Sequence, residues 1–280
     1  MSRQRLVAGV GLALAFAVSA SVSAQLPMTA TSRSGRTVTP VFEGWYGNPD
    51  GTFSISFGYL NRNSEEVVEV PIGPDNAVQP GNQNQGQPMH FQPGRHWGVF
   101  AIKVPADFGD KNVVWTLKIR GDVVAIPGRL HPSWQIDALE GEAGSGNTPP
   151  LIKFDAAGPE GHGPLGLTVG PRTVSVGAPL ALTVWARDDG KASGGVTTPG
   201  REALPVTLTW FKHQGPGAVS FSQATSRIPA AGGSATTSAT FSEPGEYILR
   251  VRANDASGVS GAGHAQCCWT NGFVKVSVSR

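Results

Sequence analysis

The two cysteines of the chain, Cys267 and Cys268, are adjacent in sequence. Two thiols in an oxidising compartment are expected to be oxidised. Neighbouring Cα atoms lie about 3.8 Å apart across a trans peptide, below the usual range for a disulfide, so a bridge between them closes a distorted and more easily reduced ring. The sequence predicts such a vicinal disulfide. It either stiffens the turn before the last strand or has a ligand-facing or redox role beside the ring of Trp269, and a bridge between two chains is a third interpretation.

Six histidines are scattered along the chain without the short spacing typical of a metal site. A copper or zinc site would require His90, His96 and His131 to converge from separate loops. We therefore expect surface or structural histidines, with neither a metal nor a cofactor.

Carboxylates cluster at two predicted strand ends, Asp188-Asp189-Gly190 and Asn254-Asp255. Calcium takes six to eight oxygen ligands, which is more than these segments offer, so turn and capping roles are expected. No motif for a nucleophilic serine, a zinc protease or a nucleotide phosphate loop occurs in a suitable context. The sequence thus predicts no catalytic residues, although scattered carboxylates cannot be paired from sequence.

Aromatic side chains are the remaining candidates for ligand contact. Trp97 and Trp134 lie in the first half of the chain, and Trp269 follows the cysteines. Exposed rings of this kind indicate a binding surface for an envelope protein or a polysaccharide.

The N-terminus has the order of a secretory signal peptide, with Arg3 and Arg5, an apolar run over 6–18 and small residues up to Ala24. We expect cleavage after Ala24, which makes 1–24 the leader. The apolar run is shorter than the roughly 20 residues of a membrane span, and no second run of that length follows. The mature chain is therefore expected to be periplasmic or secreted, without a membrane span.

Charge gives no indication of a polyanionic partner. Removing Arg3 and Arg5 leaves 20 Lys and Arg against 20 Asp and Glu. A neutral chain without a basic tract lacks the electrostatic footprint of a nucleic-acid-binding protein.

Many glycines and prolines, 37 and 22 in 280 residues, and short alternating apolar segments predict an all-β chain. The first half, 37–139, contains a hairpin around the Asp50-Gly51 turn and further strands at 65–72, 95–104, 112–119 and 122–127, enough for one β-sandwich. The polar stretch 78–93 is expected to be a loose surface loop. Residues 140–166 form a Gly/Pro-rich linker, and 167–280 form the second sandwich, with about seven strands.

The second half carries the pattern Glu243-x-Gly245-x-Tyr247-x-Leu249, with Trp210 upstream on a predicted strand. This resembles the tyrosine corner and the buried core tryptophan of immunoglobulin folds. Together with the phrase FSEPGEYILRVRANDASG, residues 167–280 resemble bacterial immunoglobulin-like and PKD-type repeats. The resemblance implies a β-sandwich used as a spacer, adhesion or polysaccharide-contact module. It breaks down at GHAQCCWTNG, and the first half resembles no named family.

These observations predict two immunoglobulin-like β-sandwiches after a signal peptide. They favour a non-catalytic binding, adhesion or structural module at the cell envelope. The alternative is a metal- or redox-linked periplasmic protein, or an enzyme accessory, that uses Cys267-Cys268 and loop histidines.

Overall fold

The computed structural model describes residues 32–136, 146–191, 203–259, 263–265 and 268–280. The predicted leader, 1–24, and Cys267 lie outside these residues. The described part contains 17 strands, two single-turn 3₁₀ helices (Pro132–Trp134 and Gly263–Ala265) and no α-helix. It also contains no helix long and apolar enough to cross a membrane. The predicted all-β class is confirmed.

The first half contains eight strands. They are β1 (Val38–Gly47), β2 (Phe53–Asn61), β3 (Val68–Glu69), β4 (Asn76–Gln79), β5 (His90–Phe91), β6 (Gly94–Val104), β7 (Val113–Ile119) and β8 (Asp122–Gly128). Three-stranded sheets in the orders β1-β2-β6 and β4-β7-β8 are accompanied by the short β3-β5 pair. Gly51 supplies the positive φ of +80° in the β1–β2 hairpin turn, as the sequence predicted.

Aromatic rings fill the first core. Phe57 stacks on Phe100 at 5.6 Å between ring centroids, and the edge of Trp115 meets Phe100 at 4.9 Å. A buried indole N–H needs a hydrogen-bond acceptor inside the protein. That of Trp115 donates to Asn76 Oδ1 at 3.0 Å. The strand predicted over 65–72 is reduced to Val68–Glu69, because the Val70 carbonyl accepts from the Asn76 side chain and Pro71 has no N–H for a ladder.

The second half contains nine strands. They are β9 (Leu151–Lys153), β10 (Leu167–Ser175), β11 (Leu180–Arg187), β12 (Val206–Gln214), β13 (Val219–Phe221), β14 (Thr225–Ile228), β15 (Gly233–Phe241), β16 (Gly245–Asn254) and β17 (Trp269–Ser279). One sheet has the order β10-β17-β16-β12-β14 and the other β13-β15-β11-β9. All neighbours are antiparallel except β10 and β17. Two such sheets around one core form an immunoglobulin-like β-sandwich.

The core of the second half is held by apolar packing. Trp210 on β12 and Leu249 on β16 are both buried in it, together with Val184 of β11. Alternate residues of β16 (Tyr247, Leu249, Val251) point into this core, which is why the period-2 pattern of the sequence located the strand.

Tyr247 has the geometry of the predicted tyrosine corner. Its ring is 1% exposed, and its hydroxyl donates to the Glu243 carbonyl at 2.8 Å. The same hydroxyl accepts from the Gly217 N–H at 2.9 Å. Gly245 has φ of +144°, a conformation that glycine tolerates, and so lets the chain turn directly into β16. The corner therefore fixes the loop before β13 to the start of β16.

Part of the predicted linker belongs to the second sandwich. Within 140–166, Leu151–Lys153 pairs with β11, and Ile152 and Phe154 enter the core. Residues 31–280 form one compact unit, although the described apolar side chains gather in two large cores. The boundaries of two separate domains remain a prediction.

We expect Tyr247→Phe to lower the free energy of unfolding by about 1–3 kcal/mol, because the buried Gly217 N–H loses its acceptor. Urea denaturation monitored by tryptophan fluorescence measures this change. Ser277→Ala removes the exposed hydroxyl bond to Glu246 and serves as the control, with a loss below about 0.5 kcal/mol. Equal losses in both variants would contradict the corner's role.

Candidate functional site

The prediction that 78–93 is a loose surface loop is wrong, because this segment docks against β12 of the second sandwich. The Met89 N–H donates to the His213 carbonyl at 2.9 Å. His213 Nε2 lies 2.7 Å from the Gly86 carbonyl, which can only accept, so the imidazole N–H is on Nε2. His213 is 1% exposed. The loop is therefore part of the contact between the two halves.

Amide side chains extend this contact. Gln214 Nε2 donates to the Gln87 carbonyl at 2.6 Å, and its Oε1 accepts from Asn84 Nδ2 at 3.1 Å. Gln87 is fully buried and donates to the Gln83 carbonyl. An amide offers both donors and acceptors, so the buried Gln87 and Gln214 find hydrogen-bond partners inside the protein.

A second contact centres on Gly98 of β6. Its carbonyl accepts from Asn271 Nδ2 at 2.7 Å and from the Trp269 indole N–H at 3.3 Å. Gly98 has φ of +44°, and a Cβ here would lie 2.3 Å from Trp269 Cζ2. Trp269 thus covers a position that only glycine can occupy. Because Trp269 is 1% exposed, it packs between the halves and presents no surface to a ligand, contrary to the stacking role expected from sequence.

Cys268 is disulfide-bonded and fully buried. It packs in a small cluster with Tyr46 and Ile136 of the first half. The Tyr46 hydroxyl accepts from the Leu165 N–H at 2.6 Å, and burial raises the pKa of Tyr46. The predicted partner, Cys267, lies outside the described residues, so the pairing stays a prediction. The buried position of Cys268 favours stiffening over a ligand-facing role.

The structure does not bring the three candidate tryptophans together. Trp97 is half-buried, and the Arg95 guanidinium lies over its ring, 5.0 Å from the centroid. Trp134 is 39% exposed and packs on Phe42 at 5.4 Å between ring centroids. Of the three rings, only Trp134 offers a substantial open face.

The candidate metal histidines are held in other contacts. His90 Nδ1 lies 2.6 Å from Glu69 Oε1, and His131 accepts from the Ser133 N–H. His96 stacks on Tyr59 at 4.7 Å, and burial together with Arg250 lowers its pKa to about 4. The described part of the chain contains no group of three or more His, Cys, Asp or Glu side chains arranged for a metal ion.

Sequence reasoning missed a cleft of about 570 Å³ between the halves. The first half contributes Asn84 and Lys103 to its walls, and the second half contributes His213, Phe273 and Lys275. Clefts of this size between packed domains are common ligand sites. No signal in the sequence could have located it, because its walls come from segments distant along the chain.

Carboxylates gather where β11 and β16 end. Asp255 is 3% exposed and accepts from Asn147 Nδ2 and from the Ser257 N–H, both at 2.8 Å. Burial, reinforced by Asp188 and Asp189, raises the pKa of Asp255 to about 7. Burial raises the pKa of Asp188 to about 6. These carboxylates accept hydrogen bonds from turn N–H groups, and burial makes their ionisation less favourable than in water.

We expect Gln214→Ala to lower the free energy of unfolding by about 2–3 kcal/mol, since the buried Gln87 carbonyl loses its donor. It should also speed hydrogen exchange at the Met89 amide, which bonds to the neighbouring His213 carbonyl. The exposed Gln223→Ala is the matched control. Unchanged exchange at Met89 in Gln214→Ala would show that the loop is not held by this network.

Asp255→Asn should stabilise the protein increasingly as the pH rises. The pKa of Asp255 is about 7 in the folded protein, above its value in the unfolded chain. The stability that its bound proton contributes is therefore present at low pH and is lost as the pH rises from about 4 to 7. In thermal unfolding, the free energy of unfolding of Asp255→Asn should exceed that of wild type by about 2 kcal/mol more at pH 8 than at pH 5. The exposed Asp110→Asn is the control. A gain independent of pH would contradict this assignment.

No protein-family model matches this sequence, and no curated protein sequence matches it. Among solved structures, the chain is similar to domains 4 and 5 of the S-layer protein SbsC, with 11% identity, a TM-score of 0.26, and coverage of 61% of this chain and 66% of that chain, just under two thirds of its length. It is also similar to the D00-D0 domain of Intimin, with 12% identity, a TM-score of 0.27, and coverage of 86% of this chain and 99% of that chain. At these TM-scores neither likeness carries an argument about the function of this chain.

Proposed function

We propose that the protein is an exported, non-catalytic binding or structural module of the cell envelope, in which the two sandwiches act as one rigid unit. The observation that carries the proposal is the buried polar contact between the halves. Both sides supply hydrogen-bonding groups to it, from the 84–89 loop and Gly98 on one side and from His213, Gln214 and Asn271 on the other.

Interfaces between domains of one chain usually permit relative motion unless they are large or specifically bonded. Here a shift of one sandwich against the other would leave the Gln87 and Gly98 carbonyls without their hydrogen-bond donors. Each buried polar group left unpaired costs about 1–3 kcal/mol. A rigid two-sandwich body suits a spacer, or a scaffold that presents loops at a fixed distance from the envelope.

The residues that looked able to do chemistry support a non-catalytic role. Trp269 and Cys268 are buried between the halves, and His213 is used in the same contact. Among the described residues, the cleft and the open face of Trp134 are surfaces that a partner could contact. A polysaccharide or an envelope protein is the partner class that we propose.

The alternative, a metal- or redox-linked protein, has less support. A redox role needs sulfur atoms that a thiol or a partner can reach, and Cys268 is fully buried. The histidines invoked for a metal are engaged with Glu69, Tyr59 and the Ser133 N–H.

Expression of the full chain with its own leader, followed by fractionation and intact mass spectrometry, tests the proposal. We expect protein in the periplasm or medium that begins at Gln25 and gains two hydrogens on reduction. We also expect retention on purified envelope polysaccharide or on a glycan array. An uncleaved chain in the cytoplasm would contradict export, and free thiols with a retained metal would favour the alternative.

A further inference from the structure

Two arginines lie side by side on the face of β16 that is turned toward the first half. Arg250 is the cross-strand partner of Phe211 on β12, and Arg252 follows two residues later on the same face. The guanidinium carbons lie 4.4 Å and 5.4 Å from the Phe211 ring centroid. Arg250 is 2% exposed, and Arg252 is half-buried. Both guanidinium groups therefore contact the same aromatic ring.

Two other cations at this contact are paired with carboxylates. Arg95 Nη2 lies 2.6 Å from Glu43 Oε1, and Lys212 Nζ lies 3.0 Å from Glu69 Oε1. Within the described part of the chain, no carboxylate lies within 4.0 Å of either Arg250 or Arg252. Burial of a charge without a counter-charge is strongly unfavourable, and cation–π contact offsets only part of that cost.

The hydrogen-bonding groups of these two arginines are also underused. Arg250 Nη1 donates to Asn271 Oδ1 at 3.2 Å. The Nε atoms of both arginines are buried without an acceptor, whereas the terminal nitrogens of Arg252 are not among the buried unpaired atoms and face solvent. A guanidinium presents five donors in a planar fork, so the terminal nitrogens of Arg252 remain available to a ligand.

The surroundings add no negative charge. Burial and the neighbouring Arg252 lower the pKa of Arg250 to about 9. Burial together with Arg250 lowers the pKa of His213 to about 3, so this imidazole is neutral at physiological pH. Arg250 and Arg252 thus place two positive charges side by side, and no carboxylate among the described residues forms an ion pair with either.

We infer that Arg250 and Arg252 bind a phosphate group, either free or carried as a monoester on a larger ligand. Phosphate carries about −1.5 to −2 charges at pH 7 and three acceptor oxygens, which match the two guanidinium charges and the open donors of Arg252. The anion contacts Arg252 from the solvent side. The more deeply buried Arg250 next to it supplies the second positive charge. This inference does not depend on the proposed envelope function.

The test is binding of inorganic phosphate to the mature chain, measured by calorimetric titration and by thermal unfolding at constant ionic strength with chloride as the reference anion. We expect phosphate to raise the unfolding temperature of wild type more than chloride does, because a ligand that binds only the folded state stabilises it. Arg252→Gln should reduce phosphate affinity at least about tenfold. Arg252→Lys, which keeps the charge and loses the fork, should fall in between.

Arg62→Gln, an equal charge change at an exposed position of the first half, should retain wild-type affinity. Glucose 6-phosphate distinguishes the source of the anion: tighter binding than inorganic phosphate indicates a monoester ligand, and weaker binding indicates the free ion, and both results support the site. Equal stabilisation of wild type by phosphate and chloride, an unchanged phosphate affinity in a folded Arg252→Gln, or a preference for glucuronate over phosphate would overturn the inference.

Discussion

Polar groups buried between the two halves of the chain need partners inside the protein, and this requirement organises the molecule. The Gly98 and Gln87 carbonyls on the first half are satisfied by Asn271 and Gln214 on the second. Such bonds are directional and are lost when the two surfaces slide. The two apolar cores stabilise the two halves, and the polar contact joins one half to the other.

The same constraint explains where several of the candidate site residues lie. Tryptophan, histidine and cysteine side chains that could face a ligand are used to join the halves, as Trp269 and Cys268 are, both fully or almost fully buried. Arg250 and Arg252 are the exception, since no carboxylate among the described residues forms an ion pair with either of them at this contact. Two neighbouring cations without a counter-charge favour an external anion there.

The sequence predicted the strands well because their information is local. Alternation located β16 and its inward-facing Leu249, and the spacing of Gly245 and Tyr247 identified the corner. The contact between the halves could not be predicted in this way. The polar loop 78–93 has no periodicity, and its order comes from bonds to His213 and Gln214, more than 100 residues away. Trp269 resembled a surface ring because nothing near it in sequence indicates Gly98 as its neighbour.

Differential scanning calorimetry of the mature chain tests most directly whether the polar contact makes one body of two sandwiches. We expect a single transition in which the calorimetric enthalpy of unfolding equals the van't Hoff enthalpy. The reason is that neither half can leave the contact without depriving buried groups of the other half of their hydrogen-bond partners. Two resolved transitions, each with the enthalpy of about half the chain, would show that the sandwiches unfold independently and would contradict this account.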